Sequence, residues 1–157
     1  MISIEKYSEK WKFEVSQLSV KPEQAIFTVG KISDVILSLK EHEHPHVIVE
    51  DGKVAGFFLF DLSYSDTYQF GSLKSLGIRS LLIDQRFQGR GVATEALNQL
   101  PSYVVANYPE FEALQLTVNC RNKVAYGCYQ KCGFEDTNER YLGGPAGPQH
   151  IMQKRLL

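Results

Sequence analysis

The segment from Leu81 to Leu97 constrains this chain most strongly, because it combines a strand, a tight turn and the start of a helix. Leu81 to Ile83 is an apolar run of the length and type that form a buried strand. Gly89 and Gly91 interrupt the chain after it, and the apolar residues that follow recur at helical spacing. The segment therefore predicts a strand that leads through a glycine turn into the first turn of a helix.

Such a turn is suited to binding an anion. The first N–H groups of a helix lack intrahelical partners, and the helix macrodipole places partial positive charge at the same end. Gly89 and Gly91 carry no side chain that would keep a bulky anion away from these amides, and Arg90 adds a full charge nearby. The segment has neither the Gly-Lys-Ser/Thr ending of a P-loop nor a G-x-G-x-x-G pattern. It therefore predicts a phosphate site of another kind.

The composition limits the partners and the compartment of the protein. With 157 residues, of which 43% are hydrophobic and 22% charged, the chain is expected to form one globular domain, residues 1–157. A net charge of −1 attracts no nucleic acid, and no apolar run approaches the ~20 residues of a membrane-spanning helix. The N-terminus lacks the apolar core of a signal peptide, and three cysteines without metal-like spacing suit a reducing compartment. We expect a cytoplasmic protein with no nucleic-acid or membrane partner.

Apolar periodicity predicts alternating strands and helices along the chain. Strands are expected at residues 2–6, 46–49, 54–60, 77–83, 113–118 and 151–156, with another beginning at Phe134 and a hairpin turn at 50–53. Helices are expected at residues 8–18, 32–40 and 122–131, and from Gly91 onward, with Gly133 as a left-handed cap. Pro101 deletes one helical hydrogen bond, so we expect a kink or a stop there, with the helical pattern resuming at 103–107.

Two motifs stand in the second half of the chain. The first is Gln88-x-x-Gly91-x-Ala93, and the second consists of Asn122, Ala125, Tyr129, Gly133 and Phe134. They resemble the Q/R-x-x-G-x-G/A loop and the N-x-x-A-x-x-x-Y-x-x-x-G-F segment of the GNAT superfamily of acetyl-CoA-dependent N-acetyltransferases. The resemblance implies an α/β fold, with a single GNAT-type domain whose central mixed β-sheet is flanked by helices.

The resemblance also implies which residues bind acetyl-CoA, the expected co-substrate. The loop amides would hold the pyrophosphate, the backbone at 82–83 would pair with the pantetheine arm, and the α-helical segment would line its far side. The implied binding residues are Leu82, Ile83, Gln88, Gly89, Arg90, Gly91, Val92, Ala93, Thr94, Asn122, Ala125 and Tyr129. No metal is expected.

Tyr129 is the implied catalytic residue. Its family counterpart protonates the departing coenzyme A thiolate, which is a general-acid role. The alternative is a core tyrosine on an amphipathic helix. Cys128 and Cys132 lie four residues apart on the same predicted helix. We interpret both as small buried residues of the core, and the alternative is a nucleophilic role in an acetyl-enzyme intermediate.

The chain departs from the family pattern at the expected general base. Many GNAT members hold a glutamate on the strand before the glycine loop, where this chain has Arg79 and Ser80. Other carboxylates on nearby segments remain candidates to act through water: Glu41, Glu43, Asp61 and Asp66. Without an evident base, an acyl-CoA-binding regulatory protein lacking efficient turnover is one alternative function, and a protein or peptide N-acetyltransferase is another.

The acceptor is expected to be a small primary amine. The run at residues 18–24 resembles the start of some bacterial polyamine-type members, and loop acidic residues together with Tyr64 and Tyr68 would suit a small cation. A polyamine-like acceptor is therefore slightly favoured, with direct attack on the thioester. The sequence leaves a homodimer open.

Three histidines at alternating positions, His42, His44 and His46, suggest a metal site when taken with the neighbouring glutamates. Pro45 would break a helix that could gather these ligands, and alternation spreads side chains apart. We therefore expect residues 41–46 to form a solvated acidic loop near the acceptor site.

Overall fold

The computed structural model describes residues 1–27, 31–67 and 74–156, which form a β-sheet flanked by helices. The strands are β1 Ile2–Lys6, β2 Glu43–Glu50, β3 Lys53–Asp61, β4 Ser75–Ile83, β5 Ala113–Asn119, β6 Glu135–Tyr141 and β7 Gln149–Arg155. The α-helices are α1 Lys12–Ser16, α2 Ile32–Leu37, α3 Tyr64–Thr67, α4 Val92–Asn107 and α5 Lys123–Lys131. Short 3₁₀ helices cover Glu9–Trp11, Pro22–Phe27 and Gln85–Phe87. The predicted α/β class is confirmed.

The sheet is mixed, as expected, and its strands lie in the order β1-β2-β3-β4-β5-β7-β6. Neighbouring strands run antiparallel except β4 and β5, which are parallel. β4 and β5 pair only where Ser75–Gly77 faces Ala113–Gln115. Beyond these residues the two strands separate, so the edge of β4 that faces β5 has no strand partner along residues 78–83 among the residues that the structure describes.

Alternating side chains of the central strands divide the core between the two faces of the sheet. One face packs against α4, with Phe58 and Ile78 meeting Leu97 in the same cluster. The other face packs against the N-terminal helices, with Phe57 beside Trp11. Because α4 follows β4 through a short turn, its packing on the sheet holds its first turn at the end of β4.

The hairpin between β2 and β3 is confirmed. Asp51 and Gly52 adopt left-handed backbone angles, with φ of +48° and +83°. Two consecutive left-handed residues form the turn whose twist matches that of the flanking strands. The second predicted helix is confirmed, but it ends at Leu37 instead of residue 40. Directly after this end, Ser38 Oγ donates to the carbonyl oxygens of Asp34 and Val35.

Of the kink or stop predicted at Pro101, the stop is wrong, because α4 continues across the proline to Asn107. An internal proline costs about 3 kcal/mol, mainly through one lost hydrogen bond and a clash with the preceding turn. Leu97, Leu100 and Val104 are buried at helical spacing on both sides of the proline. Burying each such side chain contributes about 1.5–3 kcal/mol, which offsets that cost.

The solvated loop predicted at residues 41–46 is also wrong, because most of it belongs to β2. Residues 43–50 pair with β3, and the ring of His46 is fully buried and stacked on Phe58 at 5.2 Å. Its Nε2 lies 2.9 Å from Tyr103 Oη, while His44 Nδ1 lies 2.8 Å from Tyr108 Oη. Burial lowers the pKa of His46 to about 4, so the ring is neutral at physiological pH.

Two kinds of feature are not found in the part of the chain that the structure describes. Among residues 1–27, 31–67 and 74–156, no three His, Cys, Asp or Glu side chains lie where they could share a metal ion. In the same ranges, no helix has both the length and the apolar character needed to cross a membrane.

Candidate active site

A cleft of about 1110 Å³ opens where β4 and β5 separate. The glycine turn lies on one side of it, and α5 lies on the other. All but one of the residues implied by the motifs line this cleft: Leu82, Ile83, Gln88, Gly89, Gly91, Val92, Ala93, Thr94, Asn122, Ala125 and Tyr129. The fold thus brings two segments about thirty residues apart into one site.

The first turn of α4 presents free N–H groups at one end of the cleft. The N–H of Glu95 donates to Gly91 O at 3.0 Å and starts the helix. No described residue accepts a hydrogen bond from the N–H groups of Val92, Ala93 or Thr94, as expected for a helix N-terminus. Three amides at the positive end of a 16-residue helix form a site for a phosphate group.

The two glycines of the turn are required by the backbone and leave the site open. Gly89 and Gly91 both have φ of +76°, a left-handed conformation that costs other residues roughly 1–2 kcal/mol. A Cβ added at either position would meet no atom of the described residues within 4 Å, its chain neighbours apart. The space above the free amides is therefore accessible to a ligand.

Gln88 closes the turn with its side chain, which is committed to protein groups. Its Nε2 donates to Ile83 O at 2.9 Å. Gln88 and Gln24 also form a reciprocal amide pair, with both N–O distances at 3.0 Å. Gln24 belongs to the Pro22–Phe27 helix, so this pair fixes an N-terminal segment against the glycine turn. Nothing in the local sequence indicated Gln24, because the pair spans 64 residues of the chain.

Arg90 is the one implied binding residue that does not line the cleft. Its guanidinium lies 3.2 Å from a carboxylate oxygen of Glu50 and packs over the ring of Phe87 at 4.9 Å. The sequence suggested a cation beside the phosphate site. The ion pair with β2 and the ring contact hold the side chain outside the cleft lining, and a role for Arg90 beside the phosphate stays a prediction.

Helix α5 places its small and aromatic residues along the opposite wall. Asn122 is the N-cap, and its Oδ1 accepts from the N–H of Ala125 at 3.3 Å. Ala125 and Tyr129, four residues apart, share the face that lines the cleft. Gly133 follows the helix with φ of +92°, which confirms the predicted left-handed cap.

The Tyr129 ring packs against Phe134, with ring centroids 6.0 Å apart. Its hydroxyl makes no hydrogen bond with the described residues, unlike Tyr126 on the same helix, whose hydroxyl donates to Asp136 at 3.0 Å. Burial raises the pKa of Tyr129 well above that of a free phenol, with smaller contributions from Cys128 and Cys132. The hydroxyl therefore stays protonated at neutral pH and can donate to a ligand.

Of the two cysteines at α5, Cys132 is a buried packing residue, whereas Cys128 is half-buried and lines the cleft. Cys132 is almost fully buried, and burial raises its thiol pKa to about 11. Cys128 Sγ lies 3.7 Å from Thr94 Oγ1, which joins α5 to the first turn of α4. A buried thiol with a raised pKa carries little thiolate and is a poor nucleophile, which supports the structural role.

A bulge in β4 was not foreseen from the sequence. Ser80 has φ of +57°, and the pairing of β3 with β4 shifts between Phe57 and Leu59. After the bulge, Leu82 and Ile83 pair with β3 on one side only. The opposite edge of this segment is open to the cleft, so its backbone groups can bind a ligand as a strand would.

Arg79 occupies the position of the missing base, and it is surrounded by carboxylates. Its Nη1 lies 3.2 Å from Asp61 Oδ2 and 3.6 Å from Glu43 Oε2. Asp61 is almost fully buried and also lies 3.8 Å from the imidazole of His42. Neither Asp61 nor Glu43 lines the cleft, whereas Arg79 does.

The remaining base candidates contribute less. Glu41 is exposed and does not line the cleft. The side chain of Asp66 and all of Tyr68 lie outside what the structure describes. Tyr64, suggested as a loop residue, is buried with its ring against Gly77 and lines the cleft.

Comparisons with known proteins agree with this geometry. A model described as the acetyltransferase (GNAT) family matches residues 4–134. The uncharacterized N-acetyltransferase YbbJ of Bacillus subtilis (strain 168) is 31% identical over 117 residues, which cover 74% of this chain and 72% of that protein.

Two solved structures share the fold over almost the whole chain. AAC(6′)-Ib in complex with paromomycin and acetyl-CoA matches with a TM-score of 0.76 at 19% identity, covering 98% of this chain and 93% of that one. A spermidine N-acetyltransferase from Vibrio cholerae, in complex with CoA and spermine, matches with a TM-score of 0.72 at 15% identity, covering 99% and 95%.

Proposed function

Because the chain belongs to the acetyltransferase (GNAT) family, whose members use acetyl-CoA, we propose that it transfers the acetyl group directly to the primary amine of a small molecule. The supporting observation is the cleft itself, which joins free helix amides, an open strand edge and the Tyr129 hydroxyl. Residues 1–157 would form one catalytic domain. A cytoplasmic location fits three cysteines that form no disulfide.

The residues of the cleft suit the pyrophosphate, the pantetheine arm and the thioester of acetyl-CoA. The N–H groups of Val92, Ala93 and Thr94 would hold the pyrophosphate, over glycines that leave the space open. The free edge of β4 at 82–83 would pair with the amides of the pantetheine arm and polarise the thioester carbonyl. Acetyl-CoA supplies the activated acetyl group, and the protein supplies position and protons.

Tyr129 would act on the leaving group. The amine nitrogen attacks the thioester carbonyl carbon to give a tetrahedral intermediate. As this intermediate collapses and its carbon–sulfur bond breaks, the Tyr129 hydroxyl donates its proton to the sulfur. The proton released by the amine then returns to Tyr129 through water in the cleft. Glu43 and Asp61 are held by Arg79, so water is the proposed carrier of that proton.

Steady release of CoA from acetyl-CoA and a panel of amines tests this proposal. The panel contains monoamines, polyamines, aminoglycosides, amino acids and a peptide N-terminus, and a thiol reagent reports CoA. Turnover on small amines supports the proposal. The ion-paired Arg79 at the base position favours one alternative, a regulatory protein that binds acetyl-CoA without turnover. Tight binding of acetyl-CoA with no release on any amine would identify that alternative.

A further inference from the structure

The charges in the cleft bear on which amine it accepts. Glu23 is the one carboxylate among the described residues that line the cleft, and its side chain is exposed. Four cationic residues line it as well: Lys21, Arg79, Arg121 and Lys123. A second ammonium group desolvated in this cleft would need an opposite charge close by. The described lining provides none beyond Glu23.

Two further carboxylates, those of Asp61 and Glu43, lie outside the cleft lining, and both already form ion pairs with Arg79. Its guanidinium is 3.2 Å from Asp61 and 3.6 Å from Glu43, while 41% of the Arg79 side chain remains exposed. Arg79 and Ile83 pair with residues of β3 that are three positions apart, so the bulge brings them to roughly 10 Å along the sheet. Arg79 therefore faces the part of the cleft beyond the thioester position, where an acceptor would extend.

Apolar side chains line the cleft next to Arg79, where Ile78 precedes it on β4 and the ring of Tyr64 lies against Gly77. Elsewhere along the cleft, the aliphatic side chains of Ile26 and Val124 are 56% and 86% exposed. Phe27, Tyr141 and Pro145 line the cleft as well. Exposed apolar side chains gathered at a cleft favour a ligand with an apolar part.

We propose, on the basis of the function proposed above, that the acceptor is a monoamine with an apolar alkyl or aryl body, and that Arg79 determines this specificity. The guanidinium takes the place that the second ammonium of a polycation would occupy beside Asp61 and Glu43. The apolar walls bind the body of the acceptor. This separates the chain from its fold neighbours crystallised with paromomycin and with spermine, both polyamines.

The experiment compares substrates and variants that differ by one ammonium group. n-Butylamine and 1,4-diaminobutane have the same carbon chain, and 2-phenylethylamine adds an aromatic body. kcat/KM is measured from CoA release for the wild type, Arg79→Gln, Arg79→Lys and Arg140→Gln. Arg140 is a matched control, because it is 39% exposed, pairs with Asp136 at 3.5 Å and does not line the cleft.

The wild type should use both monoamines at least tenfold better than the diamine. Arg79→Gln frees two carboxylates, so it should shift the diamine-to-monoamine ratio at least tenfold toward the diamine. Arg79→Lys and Arg140→Gln should leave the ratio within about twofold of the wild type. Thermal unfolding of each variant shows whether it is folded.

Two results would overturn the proposal while leaving the acetyltransferase function intact. One is a wild-type preference for the diamine, and this reading is decisive even if Arg79→Gln does not fold. The other is a folded Arg79→Gln with an unchanged ratio. Absence of CoA release with every amine would instead reject the proposed function itself.

Discussion

Replacing Tyr129 by Phe removes only the hydroxyl that we assign as the general acid. The ring keeps its contact with Phe134, and the hydroxyl has no hydrogen bond with the described residues to lose. Folding stability should therefore change by no more than about 0.5 kcal/mol. A positioned general acid contributes about 10² to 10⁴ in rate, so kcat should fall by that factor. This corresponds to roughly 2.7–5.4 kcal/mol of transition-state stabilisation.

The amine KM should change much less than kcat, because the proton transfer is made mainly in the transition state. If the phenol had its ordinary pKa near 10, kcat would begin to fall with rising pH just above the range of the assay. Burial raises the pKa of Tyr129 further, so the hydroxyl stays protonated throughout pH 6–9. Wild type and variant should consequently give parallel pH profiles, separated by a constant factor.

The assay is CoA release under saturating acetyl-CoA, with Tyr126→Phe as the control. Tyr126 lies on the same helix but donates to Asp136 and does not line the cleft, so its variant should retain nearly full activity. A Tyr129→Phe enzyme within about threefold of wild type across pH 6–9 would refute the assignment. Water would then protonate the thiolate, and Tyr129 would be a packing residue.

Three further predictions concern binding and stability. Acetyl-CoA at a hundred times its dissociation constant should stabilise the fold by about 2.7 kcal/mol. This corresponds to a rise of about 5–10 °C in Tm, measured by differential scanning fluorimetry. An unchanged Tm at millimolar acetyl-CoA would contradict the assignment of the cleft as its binding site. Gly91→Ala should lower the free energy of unfolding by roughly 1–2 kcal/mol, because residue 91 has a φ of +76°. It should also weaken CoA binding measured by calorimetry. Gly127→Ala, at an open position on α5, is the control and should leave CoA binding unchanged. The pKa of His46 is about 4 in the folded state and about 6.5 in the unfolded state. Between these pH values the unfolded state binds more protons than the folded state. The free energy of unfolding should therefore fall by about 3 kcal/mol as the pH drops from 6.5 to 4. Urea unfolding of His46→Gln should lack this part of the pH dependence, and an equal slope in both proteins would contradict it.

Features that depend on a few consecutive residues could be read from the sequence. The glycine turn, the hairpin at Asp51 and Gly52, and the cap at Gly133 are all confirmed by left-handed backbone angles. The predicted helix that carries Ala125 and Tyr129 is confirmed as well, and the helical period places these two residues, four apart, on one face. Backbone conformation and helical periodicity are local, so the residues themselves specify them.

The errors arose where burial or distant partners outweighed local preference. Pro101 lies within a continuous helix because apolar residues on either side are buried against the sheet. Residues 43–45 extend β2 beyond the predicted strand because they pair with β3, and the ring of His46 is buried because it packs among aromatic side chains. The ion pair between Arg90 and Glu50, which the sequence did not indicate, joins residues forty positions apart in the chain but adjacent in the fold.

The glycine turn, the family motif on α5 and the α/β class could be predicted from the sequence, because each follows from residues close together in the chain. The separation of β4 and β5, the pairing of Gln24 with Gln88, and the ion pairs of Arg79 with Asp61 and Glu43 are visible only in the folded chain. These contacts join residues up to 64 positions apart. No local pattern encodes them, because they form only when the sheet order brings their strands and loops together.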